Sequence, residues 1–438
     1  MQSFRGRVFC LSVAIALGSS VSAAPDPAEG LGLPAHVAAA MRSIDAERIR
    51  AQVRFLSDDL LEGRGTGARG GDIAARYIAT QFALDGLQPA GDNGALIIHR
   101  TDLASYGWDV VRSSWSGEDA YLSKDSDPKL KAAAWVQLDV ARQLFSAAGL
   151  SVEDMMASAG TRDFLARELP VRFKAHIVSK VRKFVSYNVL AMLPGGDAGT
   201  ATQAVVYSAH YDHLGIDPAM SGDNIYNGAV DNGTGVGVLL ELAHAYGSSA
   251  RPPHPVLFAS VTAEEKGLLG SNYLGKHLPI PAARIALGLN FDAIPPIGVP
   301  ESVNVTGAQR TSFYRTVEKT AKAFGFAIQP DAEPGAGHYY RSDHFSLARA
   351  GVPAFSINTG VKFAGHPSQW GRAQRDEYTA KHYHNPSDEY SPAMDFSSNA
   401  ALAKFGFALG WEALLAKDTV SWLPGDEFEA ARLHGGTP

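Results

Sequence analysis

The feature that most constrains this chain is an alternation that begins at Tyr187. Short apolar, β-branched runs (Asn188–Leu193, Ala204–Ala209, Val256–Thr262, Ile285–Phe291, Ser302–Thr306 and Ala354–Ile357) are separated by stretches with helical apolar spacing. One such stretch sets Val236, Leu239, Leu240 and Ala243 on a common face and closes at Gly247. Runs of this length bounded by helical patterns predict an α/β fold with a mixed, largely parallel central sheet sandwiched by helices. Folds of that class carry their chemistry beyond the carboxyl ends of the strands.

Acids and histidines fall at those ends. Ala204–Ala209 runs into His210-Tyr211-Asp212-His213, Val256–Thr262 into Glu264-Glu265, and Ile285–Phe291 into Asp292. Asp231 lies in a glycine-rich turn ahead of a helix, and His384 in the loop His382-Tyr383-His384-Asn385-Pro386-Ser387-Asp388. Adjacent carboxylates such as Glu264 and Glu265 repel each other, and a divalent cation removes that penalty. Two readings stand at this point, a cation site and a solvated acidic rim of the sheet. Imidazole and carboxylate donors without sulfur suit zinc, with manganese or cobalt as weaker candidates. Five ligands that include an aspartate able to bridge suggest two ions about 3.5–4 Å apart.

Elsewhere the chain is less explicit. Arg5 and Arg7 precede an apolar run, Val8–Leu17, and small residues ending at Ala23. This is the layout of a signal peptide over residues 1–23, implying a periplasmic or secreted protein. The apolar run is shorter than the roughly 20 residues that span a bilayer, and no membrane span is expected downstream. The one cysteine, Cys10, lies in that leader, which excludes a disulfide scaffold and thiolate zinc sites. A net charge of −6 argues against nucleic acid as a partner. Ala24–Leu33, rich in Pro and Gly, reads as a flexible leader; Ile44–Leu56 and Gly71–Leu84 read as helices. Gly65-x-Gly67-x-x-Gly70 matches a dinucleotide fingerprint formally, but no strand precedes it, so it reads as a tight loop. Residues 94–187, with polar turns, tryptophans and a helix near Val140–Ala148, read as an accessory insert between residues 24–93 and 188–438.

The series Ser208-Ala209-His210-Tyr211-Asp212-His213-Leu214-Gly215, Gly228-Ala229-Val230-Asp231-Asn232, Ala263-Glu264-Glu265, Asn290-Phe291-Asp292 and Ser342-Asp343-His344 resembles the co-catalytic zinc aminopeptidases. That family includes bacterial leucyl aminopeptidases and is related to glutamate carboxypeptidase II. The resemblance implies a zinc exopeptidase fold, peptide substrates and two zinc ions per chain. His210 and Asp292 would bind one ion, Glu265 and His384 the other, with Asp231 bridging. Glu264 would be the general base, and Asp212 would hydrogen-bond the His210 imidazole. A cis peptide after the bridging aspartate and a tyrosine assisting the tetrahedral intermediate are also implied. Tyr339 is assigned to that role, with Tyr340 and Tyr383 as the other two available.

The insert departs from the pattern. Relatives carry a protease-associated domain there, whereas here Gly91-Asp92-Asn93-Gly94 passes at once into Ala95–His99, which looks like an internal strand of a reduced version. Asn232 after the bridging aspartate favours an aminopeptidase over the carboxypeptidase or dipeptidase branch, which usually has proline there. A non-catalytic ectodomain on the same scaffold would have lost ligands, and none is lost here. His213 is expected to pack rather than ligate, His382 is a decoy beside His384, and His338 is taken as structural or surface.

Overall fold

The computed structural model describes residues 26–66, 68–84, 101–104, 106–115, 120, 122, 135–159, 161, 164, 182–196, 203–249, 251–332 and 336–433. The signal-peptide reading and the Ala95–His99 strand lie outside these residues. Ten strands are present among them: β1 (Val189–Leu193), β2 (Ala204–His210), β3 (Gly215–Ile216), β4 (Ile225–Tyr226), β5 (Val256–Val261), β6 (Ile285–Asn290), β7 (Ser302–Asn304), β8 (Ala327–Gln329), β9 (Ala354–Ser356) and β10 (Asn358–Thr359). The central sheet has the order β1-β5-β2-β6-β9. Its pairs are parallel except at the β1 edge. β7, expected with the main run of strands, belongs instead to a small sheet with β8 and β10.

Alternate residues of each strand feed two separate apolar layers. Val205, Tyr207 and Phe258 join the larger core, whereas Val206, Leu257 and Ala259 join a second cluster on the opposite face. Both faces are thus covered, as a parallel sheet requires. The large core is closed by helices Ala46–Leu56, Gly235–Gly247 and Ser397–Leu414, and the small one by Leu274 and Leu347 from two short helices. Tyr207 is fully buried, and its hydroxyl is paired with Tyr246 and the Gly406 carbonyl at 3.0 and 3.1 Å. The buried phenol thereby avoids the cost of an unmet donor.

The N-terminal stretch corrects the sequence reading. Pro27–Leu31 is a helix, capped by the Asp26 carboxylate on the Ala28 amide, started by proline and ended by Gly32 at φ 67°. Those are start and stop signals in their proper order, and Leu31 and Ala28 are buried by the turn they create. Of the Gly65–Gly70 stretch, expected as a tight loop, Arg69 and Gly70 instead open the helix Arg69–Leu84, and a Cβ on Gly70 would lie 1.6 Å from the Leu61 carbonyl oxygen. Among the described residues, the insert contributes helices and no strand, with Trp108–Trp115, Leu138–Ala147 and Val152–Ala159 the longest. No helix of the described residues is long and apolar enough to cross a membrane.

Candidate metal centre

Because β2, β5 and β6 run parallel, their carboxyl ends share one edge, and four of the expected residues arrive there together. His210 is the last residue of β2. Beyond β5 the backbone turns sharply through Ala263, at φ 54°, and presents Glu264 and Glu265; Asp292 follows β6. Asp231 comes from the tight turn before the Gly235–Gly247 helix, where the Asp231–Asn232 peptide is cis. His384, at φ 53°, comes from the loop after the Trp370–Lys381 helix. A left-handed backbone at residues bearing a Cβ is uncommon and marks places where the surroundings dictate side-chain aim.

The side chains form two groups that share one member. Donor atoms of His213, Asp231, Glu265 and His384 all lie within 4.8 Å of one another, as do those of His210, Asp231 and Asp292. Asp231 divides its oxygens between them: Oδ1 is 3.4 Å from His210 Nε2, and Oδ2 is 3.2 Å from His384 Nε2. His384 Nε2 is also 3.2 Å from Glu265 Oε2, and His210 Nε2 is 3.1 Å from Asp292 Oδ1. Nearly all of this is buried, and the donors are nitrogen and oxygen only. These residues fit a divalent cation in each group, zinc by the chemistry of the donors.

Burial disfavours charge on His384, but Glu265 and Asp231 outweigh it and push the imidazole up to about 10. His210 is likewise buried, yet Asp292 and Glu264 raise it well above the usual imidazole range. Asp231 resists burial through hydrogen bonds from both histidines, which hold it well below the usual carboxylate range. The surrounding carboxylates thus favour a proton on each imidazole, and a cation that binds there competes with those protons. Calorimetric titration of zinc into metal-free protein, in buffers of different ionisation enthalpy, is expected to show net proton release. Apparent affinity is expected to rise with pH toward about 10, the region in which His384 gives up its proton. Proton uptake, or an affinity indifferent to pH, would contradict this.

Several residues that the sequence reading did not single out hold these side chains. The His210 Nδ1–H donates to the backbone carbonyl of Asp212 at 3.1 Å, while the Asp212 carboxylate stands 3.8 Å away. The expected carboxylate–imidazole bond is thus corrected to a backbone one, which fixes the same tautomer. The Asp212 carboxylate instead accepts from the amides of Glu264 and Glu265 and from the Thr66 hydroxyl, so it anchors the turn after β5. A chain of side chains sets Asp292: Ser208 donates to Asn290, Asn290 to Ser342, and Ser342 to Asp292 Oδ2 at 2.5 Å. Asp388 accepts from the amides of Val230 and Asp231, both at 3.0 Å. Arg64, 1% exposed, donates to the carbonyls of Tyr211, Leu56, Asn227 and Gly228. The His213 ring lies 2.7 Å from Glu265 Oε1 through Nδ1, so it stands within the centre rather than in general packing.

A cleft of about 920 Å³ opens over the centre and is lined by Glu264, His210, Asp231 and Asp292. Tyr383 is on its wall, stacked 3.9 Å from the His384 ring. Tyr339 is placed differently: its hydroxyl is committed to the Ala354 carbonyl at 3.0 Å and its ring packs under Arg310. Tyr340 reaches Glu427. His382 bonds within its own loop to Ser387 and does not join the cluster. His338 lines the cleft, paired with Asp331 at 3.0 Å, a position its sequence neighbours did not signal.

Residues 188–406 match Peptidase family M28, and the chain belongs to that family. Curated relatives include the probable lipoprotein aminopeptidase LpqL of Mycobacterium tuberculosis (strain ATCC 25618 / H37Rv), 29% identical over 270 residues, covering 55% of this chain and 48% of that protein. A probable leucine aminopeptidase 2 of Aspergillus oryzae (strain ATCC 42149 / RIB 40) is 26% identical over 312 residues, covering 68% of this chain and 55% of that protein. The chain thus spans about half the length of these relatives. The solved aminopeptidase of Aneurinibacillus sp. strain AM-1 shares the fold, with a TM-score of 0.51 and 17% identity over 85% of this chain and 95% of that one.

Proposed function

We propose that this protein is an exported, zinc-dependent aminopeptidase that removes N-terminal residues from peptides. The observation that carries the reading is Asp231, whose two carboxylate oxygens each face a different histidine of two adjoining ligand groups. His210 and Asp292 would hold one zinc ion, Glu265 and His384 the other, with Asp231 shared. His213 steadies Glu265 by its hydrogen bond. When bound, such a pair lowers the pKa of a water and polarises a scissile carbonyl. Membership of the peptidase family and relatives named as aminopeptidases support the same direction. Export rests on the leader pattern of residues 1–23.

Glu264 serves as the general base. Its amide is pinned to Asp212 Oδ1 at 3.1 Å, and its side chain faces the cleft. Burial, with Glu265, Asp292 and Asp343 nearby, pushes its carboxyl well above the usual range, and the opposing charge of His210 does not cancel this. The carboxylate takes a proton from the attacking water and delivers it to the nitrogen of the leaving amine, as the water oxygen bonds to the carbonyl carbon and the C–N bond breaks. Tyr383, the one of the three tyrosines on the cleft wall, would donate its hydroxyl to the carbonyl oxygen as negative charge develops there.

A small substrate panel tests the reading. Aminoacyl-anilides with a free amine are expected to turn over, and their N-acetylated counterparts and peptides probed for carboxyl-terminal release are not. Release from the carboxyl end with inert anilides would overturn the aminopeptidase assignment in favour of a carboxypeptidase. Inertness toward every peptide, with all ligands intact and loaded, would point to a binding ectodomain.

A further inference from the structure

We propose that Ser114, on a helix of the insert, is a positioning residue for His384 and so makes the insert part of the metal-loading apparatus. The proposal rests on the metal reading above. Ser114 is 270 residues from His384 in sequence, is 4% exposed, and has its Oγ 2.5 Å from His384 Nδ1.

The direction of that bond follows from counting hydrogens. A serine hydroxyl has one, and Ser114 has the Val110 carbonyl 2.6 Å away, one helical turn back. A carbonyl only accepts, so the hydroxyl hydrogen goes there and the oxygen lone pair faces the imidazole. His384 Nδ1 is then the protonated nitrogen, and Nε2 is the one left to ligate. Nε2 is the nitrogen that meets Asp231 and Glu265. The hydroxyl thus fixes both the ring's tautomer and its rotation, a role that carboxylates or backbone carbonyls fill for many metal-binding histidines. For His210 in this chain the Asp212 carbonyl does so; His384 takes its partner from a different part of the chain.

The Trp108–Trp115 helix is held against the catalytic core by more than this bond. Val111 is buried, Arg341 donates to the Ala104 carbonyl at 3.1 Å, and the Arg341 guanidinium lies 4.8 Å over the Tyr106 ring. Tyr106 and Thr101 line the same cleft as Glu264. Docking of this segment and loading of the His384 side of the centre are therefore coupled, because one delivers the hydrogen-bond acceptor that the other needs.

The test compares Ser114→Thr with Ser114→Val, which have nearly the same shape and differ in the hydroxyl. Zinc affinity of metal-free protein is read by competition with a chromophoric chelator, without substrate, so the result is independent of peptidase activity. Ser114→Thr is expected to stay within about threefold of wild type at both sites. Ser114→Val is expected to lose about 10–100-fold at one site only, the range that loss of such a partner usually costs. Equal affinities for the two variants, or a loss spread evenly over both ions, would overturn the proposal. Wild-type protein that takes up no zinc would remove the metal reading itself, an outcome distinguishable from either.

Discussion

Glu264→Gln is expected to keep both cations while its turnover of aminoacyl-anilides falls by about 10²–10⁴-fold, the usual worth of general acid–base catalysis. The amide has the shape of the carboxyl group and leaves the Asp212 anchor on the backbone amide untouched. What it lacks is basicity. Two neighbouring carboxylates are already committed: Glu265 spends Oε1 on His213 and Oε2 on His384, and Asp292 is held between His210 and Ser342. The loss should fall on kcat rather than KM, because proton transfer belongs to the transition state. Metal analysis and steady-state kinetics on that single variant check both halves. Undiminished turnover would remove Glu264 from its role, and loss of metal would make it a ligand instead.

The largest stability effect is expected at Arg64. Its guanidinium sits in the interior beneath the acids, and burial lowers its pKa to about 10 against the pull of Asp388, Asp231 and Asp212. It remains charged at neutral pH and ties together the Leu56 end of one helix, the turn after β2 and the turn that carries Asp231. Arg64→Met fills the volume but takes the guanidinium donor from the carbonyls of Tyr211, Leu56 and Asn227, each costing about 1–3 kcal/mol, while Gly228 keeps the Gly233 amide. It also removes the cation that offsets the clustered carboxylates. A loss of more than about 4 kcal/mol is expected by denaturant unfolding of the metal-free protein, a size reserved for such buried networks. Arg64→Lys is expected to recover little, since an ammonium cannot span the same set of carbonyls. A change below about 1 kcal/mol in either variant would contradict this picture.

Strand positions and the metal centre were legible in the sequence for one reason: both are local signals repeated in register. A fully buried parallel strand writes itself as an unbroken apolar run, and the residue that ends it inherits a fixed place on the sheet edge. His210, Glu265 and Asp292 could be read that way. The supporting residues could not. Ser114 and Asp388 look like any serine in a helix or acid in a loop, and their importance lies in partners 270 and 158 residues away. Tyr339 shows the converse failure, a residue type in a suggestive neighbourhood whose hydroxyl the fold commits to a backbone carbonyl. Pro27–Leu31 was hidden by composition, because Pro and Gly suggest a loop unless their order is considered. Strands of two or three residues, such as β3 and β10, carry too few side chains to leave a pattern.

Elemental analysis of the purified protein, paired with anilide turnover before and after chelation, decides whether a cation pair performs this chemistry. Two zinc ions per chain are expected, with activity abolished as they are withdrawn and restored when zinc is returned. Protein that holds no transition metal, or that hydrolyses peptides at full rate in the presence of chelator, would contradict it.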